Sequence, residues 1–151
     1  MEQIFSELNY TTNGVGFTNI TYDLNKFLKE NNFHSGILNL STLHTSCSLT
    51  INENADPNVL EDLKMYMQSI VPYNYYSSLS NSKNKIYYKH FQEGEDDMPA
   101  HIKTALTNTH LTLSFMEGKI ILGMWQAIYL WEHRIDKKER NIIIHVIGKK
   151  N

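Results

Sequence analysis

The chain has 151 residues, the length of one ordinary domain, and 41% of them are hydrophobic, enough for a packed core and too many for extended disorder. A formal net charge of −2 lacks the basic excess of a nucleic-acid binder, and the single cysteine, Cys47, excludes an intrachain disulfide and suits a reducing, cytoplasmic setting. The longest apolar runs, such as Ile142–Ile143–Ile144, are far short of a membrane span, and the N-terminus lacks the features of a signal peptide.

Gln3 to Tyr10 reads as a first strand, followed by a turn at Asn13 and Gly14. Thr21 to Leu28 predicts a helix capped by Thr21, with Leu24, Phe27 and Leu28 on one face. Gly36 to Ile51 is extended, with a bend near His44 to Ser46 where the side-chain parity changes. Asp56-Pro57 starts a helix whose buried face is Val59, Leu60, Leu63, Met67 and Ile70, and Val71-Pro72 ends it. Tyr73 to Lys89 has no clear period and reads as a long loop. A short helix over His101 to Leu106 follows Met98-Pro99. Leu111–Phe115 and Lys119–Leu122 flank Glu117-Gly118, a hairpin signal, and Trp125–His133 and Asn141–Ile147 complete the sheet. The order implies one α+β domain with a mostly antiparallel sheet and about three helices.

Four of the seven histidines, His44, His90, His101 and His133, sit in polar surroundings. A helix and two strand ends can converge imidazoles on one divalent ion, with nearby carboxylates as further ligands. No close-spaced pattern such as His-Glu-x-x-His is present, so separate hydrogen-bonded histidines are the competing reading. The acidic run Glu93, Glu95, Asp96 and Asp97 is either a solvated helix start or a group able to hold a metal or act as a base. Asn52-Glu53-Asn54 is a strand-end turn or a carboxylate flanked by amides in a cleft. Trp125-Gln126 is sheet core or the wall of a ring-binding pocket, and Arg134 a surface ion pair or an anion receptor. Cys47 reads as a small packed residue, with no nearby cation to activate it.

Three segments carry a resemblance. They are His44-Thr-Ser-Cys-Ser-Leu-Thr-Ile-Asn-Glu-Asn-Ala-Asp-Pro57, His90 to Glu93-Gly94 with Asp96-Asp-Met-Pro-Ala-His-Ile-Lys103, and Leu122-Gly-Met-Trp-Gln-Ala-Ile-Tyr-Leu130 with Glu132-His-Arg134. In this order and spacing they closely resemble the YjbQ-like family, also called secondary thiamine-phosphate synthases and long described as uncharacterised. The resemblance implies a compact α+β fold, assembly as a homotrimer, and a histidine-lined site able to hold a metal. It also implies weak thiamine-phosphate synthase activity, joining a pyrimidine pyrophosphate ester to a thiazole phosphate with release of pyrophosphate. The family's histidines match His44, His90, His101 and His133. The chain departs from the usual pattern at Met124, commonly Thr, at Ala127, commonly Gly, and at Trp131 and Cys47, where smaller residues are usual.

The expected arrangement has His44, His101 and His133 binding a divalent metal, zinc first, at a site with an open position and His90 close by. Arg134 would help to hold the pyrophosphate, Trp125 and Gln126 the ring, and Glu53 or Asp97 would offset developing positive charge. The rival expectation is a non-catalytic trimer whose histidines bind a metal or a small anion.

Overall fold

The computed structural model describes all 151 residues as ten strands and three helices, in two main antiparallel sheets and one small hairpin. β1 (Glu2–Asn13) is longer than its alternating pattern implies, because β10 (Lys137–Lys150) pairs with it along its whole length, from Glu2↔Gly148 to Asn13↔Lys137. β10 also pairs with β3 (Phe33–Thr42), and β3 with β7 (His110–Met116). With β8 (Lys119–Ile120) these form a five-stranded sheet in the order β1-β10-β3-β7-β8. Glu117 and Gly118 join β7 to β8 with φ of 53° and 71°, the left-handed pair that a two-residue hairpin requires.

The bend expected near His44 is where the chain changes sheets. β4 (Cys47–Glu53) leaves β3's sheet and joins a second one, in which β9 (Gln126–Glu132) lies between β2 (Gly16–Asn19) and β4. Leu38, Leu40, Ile142 and Ile144 of the large sheet pack with Leu49, Ile128 and Leu130 of the small one and with Leu24 and Leu28 of α1 (Thr21–Glu30) in one continuous core. Each is fully buried, and truncating such a leucine to alanine costs about 2–5 kcal/mol.

Several local expectations change. Thr21 is the first residue of α1 and not its cap, because its Oγ1 accepts the backbone N–H of Ile128 at 2.8 Å and fastens the helix to β9. α2 (Pro57–Ile70) begins as expected, with Asp56 accepting the Asn58 N–H at 2.9 Å and proline in the first turn. Its apolar face is only half covered: no α2 residue is fully buried and Ile70 is exposed, since the short β2 is the strand it mainly rests on. The Tyr73–Lys89 stretch is not structureless, for β5 (Tyr75–Ser77) and β6 (Lys85–Tyr87) pair within it. α3 (Asp97–Ala105) starts four residues earlier than the sequence implies, because Pro99 in its first turn gives up no hydrogen bond. No helix is long and apolar enough to cross a membrane.

Candidate metal centre

α3 is the element that builds the site. Asp97 and His101 are four residues apart on one face, and the stretch before the helix brings His90 to the same place. One potential ligand atom from each of His90, Asp97 and His101 lies within 4.8 Å of the others. His90 Nε2 is 2.7 Å from Asp97 Oδ2, and His101 Nε2 is 3.5 Å from Asp97 Oδ1. The His90 contact is close, yet it does not form a hydrogen bond to Oδ2. Asp97 Oδ2 is therefore buried with no hydrogen-bond donor. A buried carboxylate oxygen without a donor is costly, and a cation resolves the cost.

Neighbouring residues aim the cluster. His101 Nδ1 donates to the Thr45 carbonyl at 2.9 Å, which leaves the Nε2 lone pair facing Asp97. Arg134 is 4% exposed and three of its five N–H groups are taken: Nε donates to Asp96 Oδ2 at 2.9 Å, Nη1 to Asp97 Oδ1, and Nη2 to the Glu93 carbonyl at 2.8 Å. Burial alone would raise the Asp96 pKa, but the Ile135 N–H and the Arg134 guanidinium outweigh it and hold the carboxyl below its usual range. The structure buries Arg134, which the sequence assigned to a substrate anion. The residue orients Asp97 and is almost wholly buried.

The structure does not bring His44 and His133 into this cluster. His44 Nε2 accepts the backbone N–H of Asn141 at 2.8 Å, so its proton sits on Nδ1 when the ring is neutral. Burial, followed by the charge of Arg140, lowers its pKa. His44 and His101 do share the walls of one open cleft of about 550 Å³, lined otherwise mostly by threonines.

His133 is fully buried, with Nε2 2.7 Å from Ser48 Oγ. Thr107 Oγ1 donates to the Lys103 carbonyl at 2.7 Å, so Ser48 gives its proton to Thr107 and must accept from His133 Nε2. The proton count makes His133 the Nε2–H tautomer, with a buried Nδ1 that has no partner. Burial first, then the charge of Lys103, lowers its pKa to about 3. A histidine depressed on folding stabilises the protein above its unfolded pKa and loses that contribution as pH falls towards the folded value. With an unfolded pKa of about 6.5, lowering pH from 7 to 5 should cost about 2 kcal/mol. Urea unfolding at the two pH values should show this loss, and a His133→Asn variant should largely abolish it.

Glu53, Trp125 and Gln126 lie together elsewhere. They line an open cleft of about 590 Å³ with Ile51, Asn52 and Ala55. Glu53 pairs with Gln126 at one end of the β4–β9 ladder, whereas Cys47 pairs with Glu132 at the other, next to Arg134 and the cluster. Six residue steps at about 3.3 Å put the two clefts roughly 20 Å apart along the strand.

Three buried charged residues were not marked as site residues by the sequence. Glu132 and Arg140 form an ion pair with Nε–Oε2 and Nη2–Oε1 distances of 2.6 Å. Glu132 Oε1 also accepts the backbone N–H groups of His133 and Arg134, fixing the turn that carries them. Lys103 is 2% exposed and donates to Gln68 at 2.8 Å, and burial lowers its pKa to about 8. Its spacing from Ala100 on the buried face of α3, and from the buried Asp96 just before the helix, was the available signal.

The family described as UPF0047 protein YjbQ-like matches residues 6–149. The chain belongs to this family. It is 37% identical over 138 residues to the UPF0047 protein sll1880 of Synechocystis, covering 91% of this chain and 87% of that one. It is 42% identical over 115 residues to the UPF0047 protein YjbQ of Salmonella typhimurium, covering 76% and 75%. Among solved structures, the conserved hypothetical protein TT1486 of Thermus thermophilus superposes with a TM-score of 0.77 at 30% identity, over 94% of this chain and 99% of that one. The YjbQ-like fold is thus shared along nearly the whole chain.

Proposed function

We propose that this YjbQ-like protein is a metal-dependent enzyme acting on a phosphorylated small molecule, with His90, Asp97 and His101 holding one divalent ion. The observation that carries the reading is the buried Asp97 carboxylate with an imidazole on each oxygen, His90 at Oδ2 and His101 at Oδ1, and no hydrogen bond made to Oδ2. Two imidazoles and a carboxylate suit zinc or a similar ion, and the half-exposed His90 leaves the centre open on one side. When bound there, a divalent ion would neutralise charge on a departing pyrophosphate.

The chain's own residues would do the rest. Asp97 and His101 enter pre-aimed by Arg134 and Thr45, so little ordering remains to be done on binding. The exposed Trp125 offers a face on which a pyrimidine or thiazole ring can stack, and Glu53 beside it offsets positive charge developing on that ring. The reaction is the family's weak thiamine-phosphate synthesis, in which the thiazole nitrogen displaces pyrophosphate from the pyrimidine methylene carbon. The active form in this reading is a homotrimer.

A second reading, a non-catalytic metal-binding trimer, is favoured by one observation: Arg134 is 4% exposed and offers an anion almost no surface. Purified protein incubated with both precursors, with and without chelator, separates the two. Turnover that needs added metal and disappears in Asp97→Asn supports the enzyme. Turnover no greater in the wild type than in that variant leaves the binding protein.

A further inference from the structure

We propose that the threonine-lined cleft beside His101 is the receptor for a phosphate group, with Thr104 Oγ1 and His44 Nδ1 as its donors. This rests on the functional reading above and names where the anionic group of the substrate sits, since Arg134 is almost wholly buried. The cleft holds about 550 Å³, the size of a small-molecule site. Apart from Ala105 its walls are threonines, His44 and His101, and no carboxylate reaches it. His101 belongs both to this cleft and to the cluster with His90 and Asp97, so an anion here lies next to the metal position.

Thr104 points to such a ligand. It is 7% exposed, and its Oγ1 is buried with no hydrogen-bond partner. A threonine inside a helix can turn its hydroxyl to the carbonyl four residues back, yet this one does not. A buried hydroxyl left unpaired is costly, and a phosphate oxygen in the cleft would relieve the cost. His44 supplies the second donor. Its Nε2 accepts the Asn141 N–H at 2.8 Å, so Nδ1 carries a proton in either charge state and is left for a ligand.

The walls are already fixed. The Thr42 N–H donates to the Thr109 carbonyl at 2.9 Å and the Leu49 N–H to the Asn108 carbonyl at 2.7 Å, tying the segment after α3 to β3 and β4. Carbonyls at the end of α3 would repel an anion. Those of Lys103 and Thr104 are taken by the Thr107 hydroxyl at 2.7 Å and the Thr107 N–H at 3.3 Å. Little ordering is left for a bound phosphate to impose.

Inorganic pyrophosphate is the probe, titrated by calorimetry into protein carrying one equivalent of zinc. Thr104→Val replaces the hydroxyl by a methyl of the same shape and should weaken binding about 10-fold or more. His44→Phe should weaken it by a similar factor, and Thr104→Val decides alone should loss of the Asn141 contact unfold the second variant. Zinc affinity, read with a chromogenic chelator, should be unchanged. Thr104→Val should melt no lower than the wild type, because no internal hydrogen bond is lost. Undiminished pyrophosphate affinity in either folded variant would overturn the proposal, as would affinity lost only together with zinc. Absence of binding to the zinc-loaded wild type would overturn it too and leave the metal centre standing. A wild type that takes up no zinc but binds pyrophosphate through Thr104 and His44 would support the receptor and remove the metal-dependent reaction.

Discussion

Replacing Arg140 by methionine is expected to lower the unfolding free energy by about 3–5 kcal/mol, the cost of leaving a buried charge without its partner. Glu132 is 1% exposed and its carboxylate is held by Arg140, Thr12 and two backbone N–H groups. Burial would raise the Glu132 pKa, but the Arg140 bonds and the Arg134 N–H outweigh it and hold the group ionised. Without the guanidinium, a carboxylate at the end of β9 must either take up a proton or stay charged in the interior. The double variant Glu132→Gln with Arg140→Met removes both charges and should be less destabilised than Arg140→Met alone. Urea denaturation of the three proteins measures this directly. A loss below about 1 kcal/mol in the single variant would mean that the pair is only a surface-like ion pair.

The second large effect concerns the cluster. Asp97→Asn should weaken divalent-metal binding by about 100-fold or more, because it removes the one anionic ligand while keeping the side chain's shape. Arg134→Lys should weaken it less, by about 10-fold, since lysine keeps the charge but loses the fork that holds Asp96, Asp97 and the Glu93 carbonyl together. Titration against a chromogenic chelator gives both affinities, and thermal unfolding of the metal-free proteins separates ligand loss from misfolding. Equal affinities for wild type and Asp97→Asn would remove Asp97 from the ligand set.

What the sequence revealed follows the range of the interactions. The start of α2 at Asp56-Pro57 and the hairpin at Glu117-Gly118 are set by the chemistry of adjacent residues, and both were legible. The boundaries of β1 and β10 were not, because those strands are as long as their mutual pairing makes them. Thr21 has the chemistry of a cap, yet a partner 107 residues away claims its hydroxyl. The same holds at the site. His90, Asp97 and His101 stand out in the sequence as polar, titratable residues around one helix start. Their grouping depends on contacts that no local pattern records, such as His101 with the Thr45 carbonyl and Arg134 with Asp96, 38 residues away. His44 was grouped with them by its setting among hydroxyls, but the Asn141 N–H takes its Nε2. His133 was grouped by its place after an aromatic strand, which is also why it is fully buried.

A zinc-edge anomalous difference map from crystals soaked in a low concentration of zinc tests the central claim most directly. The strongest peak should lie between the Nε2 atoms of His90 and His101 and Oδ2 of Asp97, at about 2.0–2.2 Å from each. A map with its strongest peak against His44 or His133, or with no peak near α3, would contradict it.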